Sequence, residues 1–375
     1  MSDLTSPPVT PVTAATPATP VTPVTATDPR LALASRWLEG LSGYRSDTLA
    51  PASADASFRR YFRLQRAAPA ESTVILMDAP PDKEPVTAFL QVGKILRDAG
   101  LRAPEVYVQD PDLGFLLLED FGTQTFLQKV LPPGGAQCEA GLAQPLYAQA
   151  WQALIRAQRY GLEVPQALAG LPPYDASRLH QEMTLFPEWY LEKHLGLRLG
   201  EKESQDLQDI FTQLVHQATQ QPQVIVHRDY HSRNLMVLQD SEDLGILDFQ
   251  DAVLGPLTYD LVSLLRDAYI DWPESVQIDW AARYWQEARA AGIAVPEDFG
   301  AFYADFELMG LQRHLKVLGI FARLSIRDGK HGYLNDMPRV LAYASKVAER
   351  YGALAPLARI LHKAAGARPE VHFSF

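Results

Sequence analysis

The sequence predicts an α+β fold in two lobes, a small β-rich N-lobe followed by a larger, mostly helical C-lobe. Three observations predict it. Strand-like runs crowd the first third of the chain; the remainder reads as helix apart from one β-rich island at residues 224–247; and strands and helices do not alternate as repeated βαβ units. No internal period of the solenoid or propeller kind interrupts this reading.

Each element has a local cause. Residues 5–27 are a run of Thr, Pro, Val and Ala without a charge, so residues 1–27 are expected to be a disordered tail. Asp28 followed by Pro29 reads as a helix cap and first helical position, after which Leu31, Ala34, Trp37, Leu38 and Leu41 recur at helical spacing until Gly43. A small-residue turn at 53–57 then precedes two β-rich runs, 58–64 and 73–77. Phe89, Val92, Ile95 and Leu96 mark an amphipathic helix closed at Gly100, with strands expected at 106–108 and 115–118. The order is therefore β, β, α, β, β after a leading helix. We expect the N-lobe at 28–118, a hinge at 119–122 and the C-lobe at 123–375.

Composition excludes several classes. Among 375 residues, 34 Lys and Arg face 45 Asp and Glu, a net charge of −11, with 47% hydrophobic residues. That supports a substantial core and argues against a nucleic-acid binder. No stretch approaches the roughly 18 uncharged apolar residues of a membrane span. With Cys138 as the one cysteine, neither an intramolecular disulfide nor a cysteine-based zinc site is possible. Together with a start that lacks an export signal, this fits a cytoplasmic protein, and no obligate protein partner is evident.

The chemistry concentrates in one place. An apolar strand, Val224-Ile225-Val226, runs into His227-Arg228-Asp229-Tyr230-His231-Ser232-Arg233-Asn234, and a later apolar run ends in Asp248-Phe249-Gln250-Asp251. Such a constellation converges two oxygen donors, Asn234 and Asp248, on a hard cation and leaves Asp229 to accept a proton. The chain contains two asparagines, Asn234 and Asn335, and one falls where a magnesium ligand is needed. A β-turn held by Asp and Asn side chains would explain neither His227 nor Asp248.

These residues resemble the kinase-like phosphotransferase superfamily, specifically its aminoglycoside phosphotransferase and choline kinase branch. The resemblance implies a protein-kinase-like fold using ATP and Mg2+, with Asp229 as catalytic base and Asn234 and Asp248 holding the metal. Asp260 would brace the catalytic-loop backbone beside His227, although a carboxylate at a helix N-terminus explains it too. A nearer resemblance rests on Ser57-Phe58-Arg59-Arg60-Tyr61-Phe62-Arg63, Met77-Asp78-Ala79-Pro80-Pro81, His227 to Asn234, Asp248 to Ala252, and Gln312-Arg313-His314-Leu315-Lys316 to Gly332-Tyr333-Leu334. These phrases are similar to the anomeric N-acetylmuramate/N-acetylglucosamine kinases of bacterial cell-wall recycling. The resemblance implies transfer of a phosphoryl group to the C1 hydroxyl of a small-molecule amino sugar. Other readings are an aminoglycoside, choline or other alcohol kinase, or a non-catalytic pseudokinase.

The pattern departs from protein kinases in having neither a glycine-rich loop nor a third-strand lysine. Ser57 and its small neighbours still permit a short phosphate clamp, and Glu119 begins the segment where a purine would rest. Alternation places Phe58, Arg60, Phe62 and Leu64 on one face, with Arg59, Tyr61 and Arg63 on the other. Arg60 is the one charge on the apolar face: it either contacts phosphate or emerges at a sheet edge, unless magnesium alone carries the charge. Between Phe306 and Arg327, the cations Arg313, Lys316, Arg323 and Arg327 share one helical face, opposite Leu311, Leu315, Leu318 and Ala322. That stripe meets either an anionic substrate or solvent. Arg233, inside the catalytic loop, is a further candidate for contact with acceptor or phosphate.

Overall fold

The computed structural model describes residues 28–54, 58–68, 72–239 and 241–367. The expectations for the 1–27 tail and for Ser57 lie outside the described residues.

Helix α1 (Pro29–Glu39) begins where the cap predicts: Asp28 Oδ1 accepts the N–H groups of Arg30 and Leu31 at 3.0 and 3.2 Å. A five-stranded antiparallel sheet follows, built from β1 (Tyr44–Ala54), β2 (Arg60–Arg66), β3 (Thr73–Asp78), β4 (Val106–Asp110) and β5 (Phe115–Glu119) in the order β1-β2-β3-β5-β4. Strand β1 is a correction to the sequence reading. It carries Arg45, Ser46, Asp47 and Pro51, a composition without strand character, and it survives as an edge strand whose register against β2 shifts twice.

Both faces of this sheet are covered. Phe62, Leu64, Val74, Leu76, Phe115 and Leu117 pack on Ala34 and Leu38 of α1. Met77, Leu116 and Leu118 instead join Phe89, Val92 and Leu96 of α2 (Thr87–Asp98) in a core that continues through the larger lobe. The pleat thus separates Arg60 from Arg59 and Tyr61, and decides which of them can reach the space between the lobes.

The C-lobe is helical around two small antiparallel ladders. Its elements are α3 (Phe126–Val130), α4 (Ala140–Glu163), α5 (Ala176–Met183), α6 (Glu201–Gln220), β6 (Gln223–Val226), β7 (Leu235–Val237), β8 (Leu244–Ile246), β9 (Val253–Pro256), α7 (Tyr259–Leu265), α8 (Glu274–Ala290), α9 (Phe299–Asp328), α10 (Met337–Arg350) and α11 (Ala355–Gly366). β6 pairs with β9 and β7 with β8. A π-helical turn, Phe186–His194, lies against α9. At its Gly319 a side chain would stand 2.4 Å from the Leu185 backbone, so only glycine permits that approach.

The 30-residue helix α9 runs from the Asp298 cap to Gly329, whose φ of 67° ends it in the left-handed region. Leu311, Leu315, Leu318 and Ala322 are buried as the periodicity predicts. The basic stripe, however, divides. Arg313 and Lys316 are 4% and 6% exposed, whereas Arg327 lies at the surface on Asp328. A helix this enclosed buries cations only where anionic partners or ligands meet them.

Candidate active site

The catalytic-loop candidate joins β6 to β7, and its backbone is strained where it turns. Arg228 and Asp248 have φ of 77° and 60°, the left-handed region that non-glycine residues enter at a cost. Both are held from outside. Asp260, at the start of α7, is buried and accepts the His227 N–H at 2.6 Å and the Arg228 N–H at 3.0 Å. The Arg228 guanidinium meets Glu182 of α5 at 2.6 Å. Asp267 accepts the Ser232 N–H at 2.9 Å, and the buried Tyr230 hydroxyl donates to the Ala150 carbonyl at 2.9 Å. His227 lies 2.9 Å from the Leu247 carbonyl through Nε2 and 3.3 Å from the Asp229 N–H through Nδ1. Nε2 therefore donates and Nδ1 accepts, so one ring ties the loop to the strand end before Asp248.

Three chemistry-bearing residues converge there. Asn234 Nδ2 donates to the Asp229 carbonyl at 3.0 Å and lies 3.3 Å from Asp248 Oδ2, which leaves Asn234 Oδ1 as an oxygen donor. Gln250 Nε2 donates to Asp248 Oδ1 at 2.9 Å. Phe249, the residue after Asp248, packs its ring tilted at 31° and 4.7 Å from that of Phe89 in α2, so the position of Asp248 is coupled to the N-lobe. Among the described residues no cluster of three or more His, Cys, Asp or Glu could hold a metal. The pair Asn234 and Asp248 nevertheless fits magnesium, which takes one or two protein oxygens and fills its remaining positions from phosphate and water.

Electrostatics set Asp229 apart. Burial raises its carboxyl, but Lys316, His231, Arg228 and Arg313 more than reverse that and hold it below the usual carboxylate range. Burial pushes Asp260 up to about 6, against the two N–H groups it accepts. Behind the loop Glu182 takes both Arg228 and Lys316, the latter at 3.2 Å, and these cations hold it below the ordinary value despite its burial. Lys316 also donates to the Tyr259 hydroxyl at 3.0 Å. Arg313, equally buried, keeps Nε and Nη1 without a hydrogen-bond partner, and His231 keeps Nδ1 without one.

Between the sheet and this loop lies a cavity of about 410 Å³. Tyr61, Ile75 and Leu118 line it above and Met236 and Leu247 below, with Asn234 and Asp248 at its polar end. Two apolar walls leading to oxygen donors suit a planar base with a charged tail. The segment from Glu119 to Gly122 borders it; Glu119 pairs with Arg102 at 2.5 Å, and Asp120 takes Arg63 and Thr73. Arg233 reaches the cavity lining with its guanidinium 3.6 Å over the Tyr269 ring.

The site residues expected from sequence thus fall into groups. Asp229, Asn234 and Asp248 come together; His227 and Asp260 hold their loop; Glu119 and Arg233 line the cavity; Arg313 acts on Asp229 from α9. Arg60 is the correction. It binds Asp28 and the fully buried Asp78 on the α1 side of the sheet, away from the cavity. The apolar face of β2 packs against α1, so a cation on it cannot reach the cavity. Sequence reasoning passed over Arg59, Glu182 and Gln250, and it placed Lys316 in the basic stripe without its link to Asp229. The strand alternation contained Arg59, with the cavity on the opposite face from the one assumed; no local pattern marked Glu182.

A family model for the phosphotransferase enzyme family matches residues 48–299, which spans both lobes. The chain belongs to the phosphotransferase enzyme family. Two relatives support this over most of their length. An N-acetylmuramate/N-acetylglucosamine kinase of Pseudomonas putida is 44% identical over 86% of this chain and 90% of its own. One of the same name from Neisseria meningitidis serogroup B is 44% identical over 88% of this chain and 94% of its own. In fold, the chain is similar to an ADP-bound aminoglycoside phosphotransferase, with a TM-score of 0.52 at 14% identity, covering 85% of this chain and 99% of that one. As a phosphotransferase, the chain has an α+β, two-lobed fold with a small antiparallel sheet and a helical larger part, as its sequence predicts. No helix among the described residues is long and apolar enough to cross a membrane.

Proposed function

We propose that this phosphotransferase moves the γ-phosphoryl group of ATP to the anomeric C1 hydroxyl of N-acetylmuramate and N-acetylglucosamine, in the cytoplasm, as a step of peptidoglycan recycling. The relatives of that name, 44% identical over nearly the whole of both chains, carry the reading. The division into N-lobe 28–118, hinge 119–122 and C-lobe 123–375 belongs to it.

In this reading the base of ATP lies between the apolar walls of the cavity and its phosphates point toward Asn234 and Asp248. Those two residues would hold Mg2+, which supplies neutralisation of charge on the transferring phosphate. Asp229, ionised at neutral pH, orients the sugar hydroxyl and takes its proton as the oxygen attacks phosphorus. His227 and Asp260 fix the loop so that this aim is set before substrate arrives. On the acceptor side the buried guanidinium of Arg313 suits an anion, and the lactyl carboxylate of N-acetylmuramate is one. Polycationic aminoglycosides or choline would meet Arg313 and Lys316 as like charges.

Phosphorus NMR tests the reading with ATP and Mg2+ in separate tubes of N-acetylmuramate, N-acetylglucosamine, kanamycin and choline. A sugar 1-phosphate signal confined to the first two tubes is expected. Product with kanamycin or choline, or in no tube, overturns it.

A further inference from the structure

We propose that Arg233 is the cation that meets the terminal phosphate of the nucleotide, held for that task by the ring of Tyr269. This rests on the phosphoryl-transfer reading above, and it gives the catalytic loop a charge where β3 has no lysine.

Among the described residues that line the cavity, two carry a positive charge, Arg63 and Arg233. Arg63 is committed: its guanidinium binds Asp120 at 2.5 and 2.9 Å and the Gly122 carbonyl at 2.9 Å. Arg233 is exposed, and among the described residues its guanidinium makes no hydrogen bond or ion pair. Asp336, whose carboxyl feels its charge, pairs instead with Arg339 at 3.5 Å. What Arg233 does touch is the Tyr269 ring, at 3.6 Å, with the Tyr333 ring at 6.0 Å. At 3.6 Å the guanidinium lies flat on Tyr269, since an edge-on approach would hold its carbon farther away. Stacking uses the face of the group and leaves its edge, where the N–H donors point, for the oxygens of a phosphate.

The pair is set before any ligand binds. The buried Asp267 accepts the Ser232 N–H at 2.9 Å with one oxygen and the Tyr269 N–H at 3.0 Å with the other. One carboxylate thus fixes both the loop residue before Arg233 and the ring beneath it. On the other side of Arg233, the Asn234 N–H donates to the His231 carbonyl at 3.0 Å. Location then decides between phosphate and sugar. Arg233 lines the same cavity as Asn234 and Asp248, whereas Asp229 and Arg313, the groups assigned to the sugar, are not among its lining residues. During transfer the bond from the γ-phosphorus to the bridging oxygen breaks, and ADP departs with the electron pair. The sugar oxygen bonds to that phosphorus and its proton passes to Asp229. Arg233 transfers nothing; it offsets the charge on the oxygens of the moving phosphoryl group.

Calorimetric titration with Mg2+-ADP and with the Mg2+ complex of the β,γ-imido analogue of ATP, alongside steady-state kinetics, tests this. The proteins are wild type, Arg233→Met, Arg233→Lys, Tyr269→Leu and Tyr269→Phe. Arg233→Met is expected to bind the analogue about 10- to 100-fold more weakly and Mg2+-ADP within about threefold of wild type, because ADP lacks the terminal phosphate. Its kcat should fall by at least about 100-fold with the sugar KM nearly unchanged. Arg233→Lys should recover part of both losses. Tyr269→Leu should lose several-fold on the same two readouts, and Tyr269→Phe, which keeps the ring, should recover most of that. Wild-type affinity for the analogue in Arg233→Met, equal losses for the analogue and ADP, or a raised sugar KM at unchanged kcat overturns the assignment. A wild type that binds nucleotide but phosphorylates neither sugar overturns the acceptor reading alone, and the titration still decides the role of Arg233.

Discussion

The carboxylate of Asp260 holds Arg228 in the left-handed region: its Oδ1 accepts the Arg228 N–H at 3.0 Å while its Oδ2 takes the neighbouring His227 N–H at 2.6 Å. Asp229 follows that strained residue, so in the mechanism proposed above the aim of its carboxylate depends on α7. Asp260→Asn leaves a single acceptor oxygen for two donors. We expect kcat to fall by about 100-fold, the cost of a misplacement of roughly an ångström, with nucleotide KM nearly unchanged. Steady-state kinetics with saturating sugar would decide, and a kcat within threefold of wild type would count against the role.

The same residue predicts a pH dependence of stability. Burial lifts folded Asp260 to about 6, above the usual unfolded value near 3.9, so the folded state binds the proton more tightly. Stability relative to Asp260→Asn should therefore rise as pH falls through 6 and level off near 4. Above 6 the ionised, buried carboxylate keeps its desolvation cost. Urea unfolding of both proteins at about pH 5 and about pH 8 measures the difference, and an equal difference at both would contradict the direction.

Asp229 and Asp248 should separate by what they lose. Asp229→Asn removes the proposed proton acceptor but leaves Asn234 and Asp248 in place, so turnover should fall by at least about 10³-fold while Mg2+-nucleotide affinity survives. Asp248→Ala should weaken Mg2+-nucleotide binding by about tenfold or more, with little change for metal-free nucleotide. Titration with and without magnesium distinguishes these outcomes. Comparable affinity losses in both variants would remove the division of roles.

What the sequence made legible follows from what is local. The 227–234 loop and Asp248 stand out because unusual residue types sit between apolar strands, and the Asp28 cap and α9 follow from spacing alone. Strand β1 was not legible because its pairing with β2, rather than its own composition, makes it a strand. Arg60 and Arg59 alternate as expected, but which face meets the cavity depends on where α1 packs, a contact between segments. The basic stripe on α9 likewise gave no sign that Lys316 is enclosed, because Glu182, on another helix, provides its partner.

Arg313 provides the test of acceptor choice. Its guanidinium is almost wholly buried on α9, acts on Asp229, and has two nitrogens without partners, an arrangement that is costly unless a ligand completes it. N-acetylmuramate carries a carboxylate that N-acetylglucosamine lacks, so an interaction with Arg313 should discriminate between them. Arg313→Gln is expected to raise KM for N-acetylmuramate by about 10- to 50-fold, and for N-acetylglucosamine by threefold or less, in line with loss of a charge-assisted hydrogen bond. Equal effects on both sugars, expressed in kcat rather than KM, would instead make Arg313 a positioning residue for Asp229. A variant with wild-type kinetics on both would leave the buried guanidinium a part of the fold alone.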